Sequence, residues 1–328
     1  MAASTRPPLH HRAPEAPATV DVSAVIVNWN TRDLLEECLV SLRDHPSDAT
    51  SLEVIVVDNG STDGSAELVR SEWPDVVLHV NEHNEGFQRA TNRGIELSHG
   101  RHLLLINADA AVTPGAIDTM VDRLESDPTA GAVGPRLVYG DGSFQRWTAG
   151  RAPDLVSVAS YFLFLERIST TAARHSLFLA EDVTEPFCPD WVSSACMLVR
   201  REALEQTGLL DERYLCYMDD VDICQRLRDE GWRVWYDPTA EVVHHMGKST
   251  ERQTGSVSPA AVQNFNDYLT RRNGRVVGAT ARVAECSGYA LRALAHTARA
   301  RLRPDGTPDR CGRAHLERAR ASLRRGHV

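Results

Sequence analysis

The sequence of 328 residues contains no apolar run that approaches the ~20 residues needed to cross a bilayer. Its N-terminus is rich in proline and histidine and lacks the apolar core of a secretory signal. The seven cysteines are scattered and form no Cys-x-x-Cys pair, which argues against both a disulfide framework and a zinc site. We therefore expect a cytoplasmic protein with reduced thiols and a disordered lead-in over residues 1–20.

Two nucleotide-binding patterns are also missing. No Gly-x-Gly-x-x-Gly follows a strand-like segment, so a Rossmann dehydrogenase is disfavoured. A sugar-1-phosphate nucleotidyltransferase would need a glycine-rich, basic loop after its first strand, and NWNTRDLLE (28–36) contains no glycine.

The net charge of −9 hides an uneven distribution. Residues 271–328 carry 14 arginines against four acidic residues, so residues 1–270 carry a balance of −19. An acidic body is a poor nucleic-acid binder but is compatible with a site of carboxylates and a metal ion. The basic, Ala/Arg-rich segment 271–328 leaves open a peripheral contact with the inner face of a membrane or with a partner. A solvated helix is favoured there, because alanine is the commonest of its apolar residues.

The first half of the chain alternates β-branched runs with helical spacing. The spacing predicts strands over 22–28, 52–58, 76–80 and 102–107, and helices over 32–43, 64–71, 87–98 and 114–127. This alternation is typical of an α/β fold with a mostly parallel sheet covered by helices on both faces. Functional groups in such folds collect at the carboxyl ends of the strands.

The second half is less regular. Residues 141–188 resemble an insertion or a flexible segment near the site, and 191–200 predicts a strand. Helices are expected over 202–207 and 221–229, followed by a strand over 233–237 and a second short strand that ends at His244-His245.

Three groups of residues could carry chemistry. Asn107–Ala108–Asp109 follows a strand, where a carboxylate can hold a cation that bridges two phosphates, although alone it reads as a turn before Thr113-Pro114. Asp219, Asp220 and Asp222 crowd three carboxylates at a helix start, so that repulsion should raise at least one pKa and favour proton uptake. In HHMGKS (244–249), a histidine could ligate a metal and Lys248, the only lysine of the chain, could neutralise phosphate, although a histidine pair alone is more often structural.

Seven strings occur in an order that resembles the family 2 glycosyltransferases of the GT-A fold, most closely the rhamnosyltransferase-like branch. They are VIVNWNT (25–31), VVDNGSTDGS (56–65), NEGFQRATNRG (84–94), LLINADA (104–110), WVSSACMLVRREAL (191–204), GLLDERYLCYMDDVDICQRLRDEGW (208–232) and HHMGKS (244–249). The resemblance implies a GT-A domain over 21–270, with a nucleotide-binding half (21–138) and an acceptor half (139–270), followed by a helical tail over 271–328.

The resemblance also implies an inverting transfer that uses Mn²⁺ or Mg²⁺. The favoured donor is dTDP-rhamnose or another dTDP-deoxysugar, and UDP-sugars are the alternative. The acceptor could be a lipid-linked glycan, a polysaccharide or a secondary metabolite. From another class, a non-catalytic sugar-nucleotide-binding protein is disfavoured, because candidate metal ligands and a candidate base occur together.

Roles carried over by resemblance fall on individual residues of this chain. Asp220 would be the catalytic base with Asp219 as its neighbouring acid, and Asp109 with His244, or less favourably His245, would bind the metal. Trp191, Asp222, His245 and Lys248 would be secondary or acceptor contacts. The donor-binding residues would be Asn28, Asn30, Asp58, Asn59, Asn84, Gly86, Asn92 and Asn107. Three positions depart from the family pattern: Asn107 and Asp219 replace Asp and Glu, and Ser194 replaces a glycine.

Overall fold

The computed structural model describes residues 20–44, 50–169, 176–179, 183–214, 218–245, 259–301 and 310–323. Residues 1–19 of the predicted lead-in and Lys248 lie outside the described residues. The chain divides into two compact units. The first takes its residues from Met1–Ala149, Glu181–Leu215 and Asp219–Ser249, and the second from Gly150–Ala180, Cys216–Met218 and Thr250–Val328.

An eight-stranded sheet forms the centre of the first unit, in the order β3-β2-β1-β4-β9-β6-β10-β5. Strands β9 and β5 run antiparallel to their neighbours, and the other neighbouring pairs are parallel. The strands are β1 (Val22–Asn28), β2 (Leu52–Asp58), β3 (Val77–Val80), β4 (His102–Asn107), β5 (Ala110–Val112), β6 (Ala130–Val138), β9 (Cys196–Arg200) and β10 (Arg233–His244). Two-residue strands β7 (Ala149–Gly150) and β8 (Trp191–Val192) lie outside this sheet.

Helices cover both faces of the sheet. Along β1, Ala24 and Ile26 pack in a core with Leu35 and Leu39 of one helix, whereas Val27 packs with Ala90 on the opposite face. This alternation is the two-residue period of a strand that is buried on both sides. The helices of this unit are α1 (Arg32–Asp44), α2 (Ser65–Glu72), α3 (Phe87–Leu97), α4 (Ala116–Ser126), α6 (Arg201–Thr207) and α7 (Asp219–Asp229).

Three predicted elements differ from the structure. The predicted strand 191–200 is interrupted, because residues 193–195 turn between β8 and β9. The predicted helix at Pro114 begins at Ala116, since Gly115 is left-handed (φ 78°) and the Thr113 hydroxyl donates to the Glu241 carbonyl at 2.6 Å instead of capping the helix. The two short strands expected up to His245 form the single strand β10, with a register shift between Asp237 and Glu241.

The second unit is helical among the residues that the structure describes. It contains α5 (Leu155–Phe162), α8 (Pro259–Arg301, with a non-helical break at Gly274) and α9 (Arg310–Ser322). Val158 and Phe162 of α5 pack against Leu269 and Ala281 of α8. Part of the expected insertion is therefore a helix of this unit, and α8 continues through residue 271, where the sequence-based division placed the start of the tail.

Candidate active site

Strands β1, β2 and β4 end side by side and bring polar residues from three distant parts of the sequence to one edge. Asn28 pairs in register with Asp58, and Val27 pairs with Asn107. The Asn107 N–H donates to the Ala195 carbonyl at 3.0 Å, which fixes the turn before β9 to the same edge. The candidate site is therefore at the carboxyl edge of the sheet, as the parallel strands predict.

The first two loops at this edge are held together by buried side chains. Asn28 donates from Nδ2 to Asp58 Oδ2 at 2.9 Å and accepts from the Thr31 hydroxyl at 2.7 Å. The other oxygen of Asp58 accepts from the Ser61 N–H at 2.8 Å. Asn30 is left-handed (φ 55°) and accepts from the Thr62 N–H at 2.8 Å. Asn28 and Asp58 are almost fully buried, so their polar groups serve to set the shape of the two loops.

Asn59 organises the next loop, residues 81–86. Its Oδ1 accepts from Asn81 Nδ2 and from the Glu85 N–H, both at 3.0 Å, while its Nδ2 donates to Asn84 Oδ1 at 3.0 Å. Asn84 also accepts from the Gly86 N–H at 2.9 Å. Gly86 has φ 93°, a backbone angle that residues other than glycine disfavour, and it directly precedes α3. The loop geometry thus depends on Asn59, Asn84 and Gly86 together.

Asn92 serves a different segment. It donates from Nδ2 to the Leu210 carbonyl at 2.9 Å and accepts from the Leu210 N–H at 3.0 Å. These two bonds anchor residues that precede α7 to helix α3. Trp191 on β8 is also buried, with 5% of its surface exposed.

A pair of carboxyl groups opens helix α7. Asp219 is buried and accepts from the Ser194 hydroxyl at 2.7 Å and from the Gln88 amide at 3.3 Å. Asp220 is half-buried and accepts from the Val221 N–H at 2.8 Å. Through Ser194 and Ala195 this pair is connected to the end of β4. Asp220, which solvent can reach, therefore lies beside Asp219, which is shielded from solvent.

Burial and mutual repulsion raise the proton affinity of this pair. Loss of hydration and, next in size, the neighbouring charge of Asp219 together raise the pKa of Asp220 from 3.8 to about 8. Burial also raises the pKa of Asp219, although the hydrogen bond from Ser194 opposes that shift. Asp222 does not share this environment, because it forms an ion pair with Arg226 at 2.8 Å. The charge of Asp222 still contributes to the raised pKa of Asp219, as the smallest of its causes.

A second candidate pair is Asp109 and His244. Their Oδ1 and Nε2 atoms are 3.3 Å apart, and both residues are buried. His244 Nδ1 lies 3.0 Å from Gln145 Oε1, and the Gln145 amide donates to the His244 carbonyl and, at 3.2 Å, to the Val138 carbonyl. Because the Gln145 amide nitrogen donates to two carbonyls, its Oε1 accepts a hydrogen bond from His244 Nδ1–H, and Nε2 is the ring nitrogen that faces Asp109.

His245 has another partner. Its Nε2 lies 2.8 Å from Glu37 Oε1, and only its backbone N–H contacts Asp109, at the carbonyl, at 2.8 Å. Of the two candidate histidines, His244 is thus the one whose ring faces the Asp109 carboxylate.

Asp109 and His244 fit one corner of a divalent-cation site. Among the described residues there is no group of three or more His, Cys, Asp or Glu side chains arranged for a metal. Mg²⁺ and Mn²⁺ are commonly held by one or two protein ligands and complete their shells with water and substrate phosphates. Two adjacent ligands at about 2.1 Å from one octahedral ion are about 3 Å apart, close to the separation of these two atoms.

Three contributors at this edge were not assigned a role by sequence reasoning: Gln88, Gln145 and the Ser194 hydroxyl. Gln145 is 99 positions from His244, and nothing in its local sequence distinguishes it. Gln88 lies within NEGFQRATNRG, so its position at the start of α3 was a usable signal.

Comparison with known proteins gives consistent matches. The model of the family described as "Glycosyl transferase family 2" matches residues 23–208. An N-acetylglucosaminyl-diphospho-decaprenol L-rhamnosyltransferase of Mycobacterium tuberculosis (strain ATCC 25618 / H37Rv) is 36% identical over 265 residues, which cover 76% of this chain and 84% of that protein.

Two solved structures are similar in fold. Mannosyltransferase PcManGT from Pyrobaculum calidifontis, in complex with GDP-Man and Mn²⁺, has a TM-score of 0.53 and 20% identity, and the match covers 97% of this chain and 89% of that one. GalNAc-T7 with UDP, GalNAc and Mn²⁺ has a TM-score of 0.55 and 15% identity, and covers 94% of this chain and 55% of that one. At these identities the similarity concerns the fold alone.

Proposed function

The chain belongs to glycosyl transferase family 2, an enzyme family of the GT-A fold, and on that premise we propose that it is an inverting, metal-dependent rhamnosyltransferase. Rhamnose, or another deoxysugar, would come from a dTDP donor and pass to a hydroxyl of a lipid-linked glycan. The name of the mycobacterial relative supports both the sugar and this class of acceptor. A UDP-hexose or UDP-GlcNAc donor is the second candidate, supported by the UDP bound in the GalNAc-T7 structure.

The Asp219–Asp220 pair is the observation that carries the mechanism. Asp220 would accept the proton of the acceptor hydroxyl while that oxygen attacks the anomeric carbon. The new carbon–oxygen bond forms as the bond to the diphosphate breaks on the opposite face, so the anomeric configuration inverts. Asp219, held by Ser194 and Gln88, would keep the proton affinity of Asp220 high. With a pKa of about 8, about a tenth of Asp220 is ionised at pH 7, and the ionised form is a strong base.

Asp109 and His244 would hold the divalent ion at the diphosphate. When bound there, such an ion stabilises the charge that develops on the leaving nucleoside diphosphate. Gln145 would orient His244 by accepting a hydrogen bond from its Nδ1–H group, since a ring fixed in this way offers Nε2 to the ion without rearrangement.

The nucleoside would lie against the loops that follow β1, β2 and β3. These loops receive the side-chain hydrogen bonds of Asn28, Asp58 and Asn59, so we propose that the three residues maintain the shape of this pocket. Asn30, Asn84 and Gly86 lie in the loops themselves and are the proposed donor contacts. Asn107, at the end of β4, would face the sugar side of the donor.

A transfer assay with purified protein tests the proposal. dTDP-rhamnose and a polyprenyl-diphosphate-linked N-acetylglucosamine acceptor are combined with and without Mn²⁺, and the product anomer is determined by NMR. We expect transfer that requires Mn²⁺ and inverts the anomer. Asp220→Asn should abolish transfer yet retain the metal-dependent thermal shift with dTDP. The matched control is Asp229→Asn, which changes an exposed acid at the other end of α7. Transfer by Asp220→Asn at the wild-type rate would show that Asp220 is not the base. A thermal shift with UDP-sugars and none with dTDP-sugars would show that the donor is a UDP-sugar.

A further inference from the structure

Most of the large apolar side chains exposed by the described residues belong to the second unit. Fifteen such side chains are exposed, and eleven of them lie in that unit. Four follow one another along α8, and between 50 and 79% of their surface is exposed: Val276, Val283, Leu291 and Leu294. We call these four residues the apolar face of α8.

These four positions share one side of the helix. They are separated by seven, eight and three residues, and at 3.6 residues per turn they fall within about 80° of one another. The larger apolar residues of the basic segment therefore form a continuous stripe, which the Ala/Arg-rich composition of this segment did not predict.

The exposed side of this helix also lacks charge. Between Val276 and Ala298 every exposed position holds Val, Leu, Ala, Ser or Thr. Two charged residues of this stretch point inward instead: Arg292 donates to the Tyr161 and Phe162 carbonyls at 3.3 Å, and Glu285 accepts from the Asn266 amide at 3.0 Å. A helix whose outer side faces water has the opposite arrangement, with charges outward and apolar residues inward.

Positive charge flanks the apolar face. Arg275 and Arg299 are exposed at its two ends. On α9, which packs against α8, Arg313 and Arg320 are exposed alongside Leu316 and Leu323. A second copy of the chain placed on this face would bring two arginine-rich borders together, whereas a surface of anionic lipid headgroups complements both the charge and the apolar stripe.

We propose that the apolar face of α8 inserts into the headgroup region of a bilayer that contains anionic lipids, with the flanking arginines against lipid phosphates. None of the described helices is long and apolar enough to span a membrane, so α8 would lie along the surface. The proposal uses the exposure and charge of the second unit alone. It is compatible with a lipid-linked acceptor but does not depend on the proposed transfer.

Vesicle co-sedimentation of the full chain, without donor or acceptor, tests this binding. Wild-type protein should bind vesicles of phosphatidylcholine mixed with phosphatidylglycerol, and should bind pure phosphatidylcholine more weakly. Raising the salt from about 0.1 to about 1 M shortens the screening length from about 10 to about 3 Å, so binding should weaken. The triple variant Val283→Ser/Leu291→Ser/Leu294→Ser should partition at least about tenfold less, because each substitution removes exposed apolar surface.

The matched control is Val77→Ser/Val80→Ser, which removes exposed apolar residues from β3 in the first unit and should bind as the wild type does. Circular dichroism verifies that the triple variant is folded, as expected for exposed positions. Arg275→Glu/Arg299→Glu should lose the preference for anionic vesicles, which identifies the lipid charge as its source. Wild-type-like binding by the triple variant would overturn the proposal. So would a wild-type dimer that ignores vesicles and that the triple variant dissociates, since the face would then belong to a second copy.

Discussion

Replacing Asp220 by asparagine should stabilise the protein at high pH while it abolishes transfer. Above pH 3.8 the unfolded chain has lost the Asp220 proton, whereas the folded chain keeps it until about pH 8. The folded state therefore binds more protons than the unfolded state in this window, and the free energy of unfolding falls as the pH rises through it. Asparagine carries no charge and removes that pH dependence.

The magnitude follows from the size of the pKa difference. Each pKa unit corresponds to 1.36 kcal/mol, so the interval from 3.8 to about 8 amounts to about 5 kcal/mol at pH 8, where half of the folded chains have lost this proton, and to about 2 kcal/mol at pH 5. Because Asp219 and Asp220 repel each other and titrate together, we assign about half of this free energy to Asp220. One hydrogen bond, from the Ser194 or Val221 N–H, is lost when an oxygen becomes an amide, at a cost of about 1 kcal/mol. The net gain should be about 2 kcal/mol at pH 8 and close to zero at pH 5.

Urea unfolding followed by circular dichroism at pH 5 and pH 8 measures this gain. The matched control is Asp222→Asn in the same helical turn, which loses an ion pair with Arg226 and should be no more stable than the wild type at either pH. Two results would refute the argument that burial and the charge of Asp219 raise the pKa of Asp220. One is a lower free energy of unfolding for Asp220→Asn at pH 8, and the other is a gain of equal size at both pH values.

The same carboxyl group should govern the rate, so kcat/KM of the wild type should rise with an apparent pKa of about 8 in a pH–rate profile, and a flat profile between pH 6 and 9 would exclude Asp220 as the base. Gln145→Leu should weaken Mn²⁺ binding to the dTDP complex by roughly 10–100-fold in calorimetry, whereas His245→Gln should leave this binding unchanged. If instead only His245→Gln weakens Mn²⁺ binding, His245 is the ligand. Gly288→Ala should lower the free energy of unfolding by about 1–3 kcal/mol, because its Cβ would lie 2.5 Å from the Phe162 carbonyl oxygen, and the neighbouring exposed Ser287→Ala should be neutral.

Local sequence patterns carried most of the fold. The β-branched runs in 22–28 and 52–58 and the helical spacing in 32–43 predict elements that the structure reproduces within a residue or two. The α/β class and the GT-A fold are confirmed by the sheet and by the solved structures. Such patterns are readable because each depends on neighbours within one turn or one strand.

Errors arose where distant contacts competed with local signals. Thr113-Pro114 is a good helix start in isolation, but the Thr113 hydroxyl is taken by the Glu241 carbonyl, 128 positions away. Residues 155–162 were expected to belong to an insertion or a flexible segment, but they form helix α5, whose Val158 and Phe162 pack against Leu269 and Ala281 of α8.

The candidate site divides in the same way. The sequence by itself determined which residue types are present: an aspartate at the end of β4, a carboxylate pair at a helix start and a histidine pair after a strand. Only the tertiary structure decided their partners, because hydrogen bonds between residues 99 or 131 positions apart leave no local pattern. It placed His244 beside Gln145 and Asp109, His245 beside Glu37, and Asp222 beside Arg226. It also placed the half-buried Asp220 next to the buried Asp219, where their charges repel each other.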